Sequence, residues 1–110
     1  MFCDGNMSTV INSNDEYTAA IKSGKTIIRL TASWCGPCKR IAPTYEGLAK
    51  RFPAISFYTV DVDKVRQVLQ SEGATSIPFF SAYCNGIRTE TLAGASPDKL
   101  LVLIGELQKK

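Results

Sequence analysis

The order of apolar patterns along this chain predicts an α/β fold, a central mixed β-sheet with helices on both faces. Three observations carry that expectation. Two near-continuous, β-branched runs, residues 26–32 (TIIRLTA) and 55–62 (ISFYTVDV), read as central strands covered on both sides. Helical patterns alternate with strand patterns in the order β-α-β-α-β-α-β-β-α. Asn85-Gly86 stands between the apolar runs 79–84 and 87–92, a strong two-residue hairpin signal that adds an antiparallel pair.

Each element has its own local reason. Residues 1–7 show no periodicity and read as a flexible leader; residues 8–110 read as one domain, without repeats or linkers. Residues 8–11 suit a short edge strand. Ser13 then opens a helix three residues before Glu16, in capping-box spacing, with Tyr17, Ala20 and Ile21 on one face and Gly24 as the stop. The strand 26–32 carries one charge, Arg29, in its middle. A second helix follows residues 35–38 and places Ile41, Tyr45, Leu48, Ala49 and Phe52 on one face; Pro43 inside it should kink it. After the strand 55–62, Val65, Val68 and Leu69 mark a short helix closed by Gly73. Ser96-Pro97-Asp98 is a helix start, with Leu100, Leu103, Ile104 and Leu107 as its apolar face.

Composition narrows the chemistry. At 110 residues with 45% hydrophobic content the chain can be held by a core alone, so its four cysteines are not needed as staples. There is no histidine, which removes Ser-His-Asp and Cys-His nucleophiles and mixed Cys/His zinc sites. The net charge of +3 is scattered, with Lys39-Arg40, Lys50-Arg51 and Lys109-Lys110 as the tightest basic groups, so no nucleic-acid partner is expected. No apolar run approaches the roughly 20 residues of a membrane helix, and the first residues lack signal-peptide character. The expectation is a cytoplasmic protein that does not engage membranes.

Cys35-Gly36-Pro37-Cys38 falls where a buried strand gives way to a helix. The first helical turn leaves N–H groups unpaired and carries partial positive charge, so a thiolate is stabilised there. Cys35 is therefore the expected attacking thiol and Cys38 the resolving one. Half of a structural zinc site is the alternative, but the remaining thiols, Cys3 and Cys84, are single and far apart; no metal is expected.

The block Ala32-Ser33-Trp34-Cys35-Gly36-Pro37-Cys38-Lys39 resembles the active-site signature of the thioredoxin family. Pro43, Val60-Asp61-Val62-Asp63, Ile77-Pro78, Asn85-Gly86 and Gly94 match that family's pattern in register, so the resemblance covers about residues 8–108. It implies the thioredoxin fold and a protein disulfide reductase working by dithiol-disulfide exchange. It implies Cys35 and Cys38 as the catalytic, redox-active pair, with Trp34, Gly36 and Pro37 in support. It implies a substrate groove of Trp34, Ile77, Pro78, Ala93 and Gly94, with a cis bond before Pro78. No cofactor would be bound; electrons would come from an external NADPH-dependent, thioredoxin reductase-like donor and pass to disulfide-containing proteins.

Two positions depart from the family. Arg29 stands where relatives keep a buried aspartate six residues before the first cysteine, and it stays protonated in proteins. It counts as an active-site support residue that lowers the thiolate pKa by proximity, with Asp61 on the neighbouring strand as its expected partner. Proton transfer from Cys38 then needs water or a displaced carboxylate. Phe79 follows Pro78 where threonine is usual; it either narrows the groove or starts the strand with one of the Phe79 and Phe80 rings in the core. These two departures feed the alternative reading, a binding or regulatory module on the same fold. The chain should be a monomer, with Cys84 or Cys3 offering a route to a disulfide-linked dimer.

Overall fold

The computed structural model describes residues 8–110; the leader read over residues 1–7, with Cys3 in it, lies outside the described residues. The elements follow the expected order: β1 (Thr9–Ile11), α1 (Asn14–Ala20), β2 (Lys25–Thr31), α2 (Gly36–Arg51), β3 (Ser56–Asp61), α3 (Arg66–Glu72), β4 (Phe79–Cys84), β5 (Ile87–Ala93) and α4 (Pro97–Lys109). They form one mixed sheet in the order β1-β3-β2-β4-β5. β3 pairs in parallel with both β1 and β2, whereas β4 runs antiparallel to β2 and to β5. The two runs read as central strands are central, and β2 is the middle strand.

Alternation along the strands sorts the core into two layers. Ile28, Leu30, Val60, Phe79 and Tyr83 face one side, where Tyr17 of α1 and Val68 of α3 cover them. Ile27, Phe57, Phe80 and Ala82 face the other, against Tyr45 and Leu48 of α2 and Leu100, Leu103, Ile104 and Leu107 of α4. Phe79 and Phe80 are both buried, one ring in each layer. The expectation that the Phe79 ring shapes an open groove is thereby corrected, because strand pleating turns it inward.

The local signals act largely as read. Ser13 Oγ accepts the Glu16 N–H at 3.1 Å, but the Glu16 carboxylate accepts from Asn12 N rather than closing on Ser13, so the capping box is displaced by one residue. Asn85 and Gly86 both have positive φ, 52° and 89°, as a type I′ hairpin turn demands. Glycine is also required at 86 by space, since a Cβ there would stand 3.1 Å from the Lys22 carbonyl oxygen.

Candidate active site

Cys35 caps α2 in an extended conformation, and its sulfur accepts the Cys38 N–H at 3.2 Å. Pro37 in the first turn has no N–H to leave unpaired, which suits that position. Cys35 and Cys38 are joined in a disulfide, with their Cα atoms 5.3 Å apart. Both are buried, Cys35 at 4% and Cys38 at 1% exposure.

Of the residues expected to line the groove, Ile77 reaches this pair directly. The Ile77–Pro78 bond is cis, and the Ile77 carbonyl oxygen lies 3.8 Å from Cys35 Sγ. Gly94, at φ 102°, donates its N–H to the Pro78 oxygen at 2.9 Å, and Ala93 pairs with Phe79 across β4 and β5. This fastens the segment after β5 to the proline beside the sulfurs. Trp34 is 68% exposed, and its Nε1 donates to Asp63 Oδ2 at 2.9 Å. Together with Val62, Leu69, Ala74, Thr75, Ser76 and Ile77 it lines an open cavity of about 340 Å³. Asp63 is the residue that sequence reasoning missed: its place at the end of the Val60-Asp61-Val62-Asp63 run was visible, but its bond to an indole 29 positions away was not.

Arg29 sits apart from this assembly. It is buried in β2 on the α2 side of the sheet, with its guanidinium over the Tyr45 ring at 5.0 Å from the centroid. Burial lowers its pKa, and the Tyr45 and Glu46 side chains oppose that fall. The expected Asp61 partnership is not formed. Asp61 Oδ1 instead accepts the Asp63 N–H at 2.9 Å, because in register it stands opposite Thr31, two residues along from Arg29. Arg29 Nε is buried without a hydrogen-bond partner, and none of the contacts recorded for Arg29 is to a cysteine. Cys84, at the hairpin turn, is a free thiol, half-buried against the α2 and α4 layer. Among the described residues no three His, Cys, Asp or Glu side chains form a group able to hold a metal, and no helix is long and apolar enough to cross a membrane.

A thiol pair at a helix start, buried beside a cis-proline on a five-stranded mixed sheet, defines a thiol-disulfide oxidoreductase. The comparisons agree. The thioredoxin family model matches residues 8–106. The chain is 41% identical over 99 residues to thioredoxin 1 of Plasmodium falciparum, covering 89% of this chain and 95% of that one. The thioredoxin of Trypanosoma brucei brucei superposes with a TM-score of 0.90 at 25% identity, over 100% of this chain and 98% of that one. A structure from work on the thiol-resolving mechanism of yeast mitochondrial 1-Cys peroxiredoxin via glutathione and thioredoxin systems gives 0.86 at 28% identity, over 90% of this chain and 94% of that one. This chain belongs to the thioredoxin family, has its fold, and is a reductase of disulfides by dithiol exchange.

Proposed function

We propose that Cys35 is the attacking thiol and Cys38 the resolving thiol of a protein disulfide reductase whose substrate strand lies along Trp34, Ile77, Pro78, Ala93 and Gly94. The observation that carries this reading is the Cys35–Cys38 disulfide at the start of α2, beside the Ile77 carbonyl. In the reduced protein the Cys38 N–H and the helix terminus favour a thiolate at Cys35. That thiolate attacks one sulfur of the substrate disulfide and expels the other as a thiolate, which takes up a proton. Cys38, deprotonated, then attacks Cys35 Sγ, closes the internal disulfide and releases the second substrate thiol. Two electrons have passed to the substrate, and the protein must be reduced again from outside.

The donor is an external, thioredoxin reductase-like enzyme drawing on NADPH, and this chain itself holds no cofactor. Family membership supports that donor, and the peroxiredoxin work on a structural neighbour supports disulfide-bearing proteins as substrates. The compartment is the cytoplasm and the working form a monomer. The test is a coupled assay that follows NADPH oxidation with a protein disulfide, supplying either a thioredoxin reductase or glutathione with its own reductase. Turnover is expected with the first donor, with complete loss in Cys35→Ser. Cys38→Ser should accumulate a mixed disulfide with the substrate. Full turnover in Cys35→Ser would remove the assigned nucleophile.

A further inference from the structure

We infer that this protein prefers disulfides flanked by acidic residues and that Arg40 is the residue that reads them. The inference rests on the reductase reading above and concerns which substrates that site takes. Its basis is the charge around the groove. The wall made by Ile77, Pro78, Ala93 and Gly94 carries none. A second rim, formed by the first turns of α2 and the segment between β3 and α3, presents Lys39, Arg40, Lys64 and Arg66, all exposed.

Arg40 is the best placed of the four. A methyl group built on Gly36 would stand 3.9 Å from Arg40 Nη1, so the guanidinium folds back along the first turn of α2 to the residue that follows Cys35. Lys64 donates its N–H to the Asp61 oxygen in the turn that holds Asp63, and Asp63 in turn anchors Trp34. Arg66 begins α3, and Leu69, one turn on, lines the cavity beside the indole.

Two carboxylates stand on the same rim, Asp63 accepting from Trp34 and Asp61 from the Asp63 backbone. Both donors are neutral, so the acids keep their charge and the four cations exceed them by two. The ion pairs among the described residues are Arg88 with Glu72 and Lys109 with Glu106, both elsewhere. A substrate strand in the groove therefore meets an uncharged wall and a rim of net positive charge. Guanidinium matches a carboxylate in two parallel hydrogen bonds, which an ammonium cannot do. An aspartate or glutamate next to the reacting cysteine is the complement of this rim, and attraction of this kind acts chiefly on encounter and KM.

Two synthetic disulfide peptides of one sequence test this, one with Asp and one with Asn beside the reacting cysteine. Dithiothreitol serves as the reductant, and wild type, Arg40→Gln and Arg40→Lys are compared. The wild-type preference for the Asp peptide in kcat/KM is expected to be roughly fivefold at low ionic strength, carried by KM, and to collapse at about 0.5 M salt. Arg40→Gln should bring the ratio of the two peptides close to one, and Arg40→Lys, which keeps the charge but not the paired hydrogen bonds, should fall between Arg40→Gln and wild type. A wild-type ratio of one or below overturns the proposal. So does an equal loss on both peptides in Arg40→Gln, which would put Arg40 on the thiolate and not on the substrate. Turnover of the Asn peptide that Cys35→Ser abolishes upholds the reductase reading whatever the ratio; failure to turn over either peptide overturns both.

Discussion

Arg29 is fixed by its neighbours in a way that explains why an arginine can stand in the middle strand of the sheet. The Tyr45 ring under its guanidinium is held by the phenol, which donates to the Tyr58 oxygen at 2.6 Å. Glu46, the next residue of α2, accepts from Ser8 N at 2.7 Å and from Ser8 Oγ at 2.6 Å, and Ser8 Oγ lies 2.8 Å from Thr59 Oγ1. Thr59 is the register partner of Arg29 on β3. A cation, a ring, a carboxylate and two hydroxyls thus join β2, β3, α2 and the start of β1. Arg29→Asp removes the cation from the Tyr45 ring and buries an acid in the middle strand with no cation to compensate it, which costs about 3 kcal/mol or more. Arg29→Met keeps the volume and the ring contact, leaves Glu46 its Ser8 bonds, and should cost about 1 kcal/mol. Urea unfolding of the two variants checks the order; an Asp variant as stable as wild type would show that the cation is not what the surrounding groups hold. The measurement also bears on the role expected for Arg29 as a support residue. If the charge acts on the thiolate, Arg29→Met shifts the pH at which Cys35 reacts with an alkylating reagent.

At the scale of the elements, caps and turns are local chemistry, and they were the most legible part of the sequence. α4 is the clearest case. Ser96 Oγ accepts the Lys99 N–H at 3.3 Å, Pro97 fills the first position, and Asp98 complements the helix dipole. Ser96→Ala should therefore lower the unfolding free energy by about 1 kcal/mol, and Ser96→Asp should retain it, as read from denaturant midpoints. An alanine variant as stable as wild type would mean that packing of Leu100 and Leu103 alone sets this helix start. The same locality made the Asn85-Gly86 hairpin, the Gly73 stop and the Cys35 cap readable, since each depends on residues within four positions. Sequence resemblance supplied what locality could not, the cis Ile77–Pro78 bond beside Cys35. Neither route found contacts that depend on where side chains from distant elements converge. Trp34 with Asp63 is one, and Tyr45 with Arg29 another, the latter overriding the guess that an acid on the adjacent strand would pair with the arginine. For Phe79 the sequence leaves groove and core both open, and the core reading holds with both rings buried, because two consecutive rings on a strand covered on both faces go to opposite layers.

Over the whole molecule, each face of the sheet carries one buried charged centre. Arg29 is on the α2 and α4 side; Glu72, the last residue of α3, is on the other, at 1% exposure. Its carboxylate accepts from the hydroxyl of Tyr17 on α1, from the hydroxyl of Tyr83 on β4 at 2.5 Å, and from Arg88 Nη1 on β5 at 3.2 Å. Arg88 also donates to the Glu72 backbone oxygen at 2.6 Å. Four elements are tied together at the opposite end of β4 from Pro78. The tie has a pH signature. Burial first, then the hydrogen bond to Glu72, pushes the Tyr83 hydroxyl up to about 12, and the same two causes raise Tyr17 further. In the unfolded chain both phenols ionise near 10, so they stabilise the fold fully below that pH and the contribution fades as pH rises toward and through the folded values. Unfolding free energy should therefore be level from pH 8 to 9 and fall above pH 10, by on the order of 2 kcal/mol by pH 12 from Tyr83 alone. Tyr83→Phe loses a bond to a buried carboxylate, so it should begin about 2 kcal/mol less stable at neutral pH yet decline less steeply in alkali. The Tyr17→Phe, Tyr83→Phe double variant should decline least, with Tyr45, also raised by burial, accounting for part of what remains. Alkaline denaturation followed by far-UV circular dichroism decides the matter: a limb of the same slope in wild type and the double variant would assign the loss to groups other than these two tyrosines.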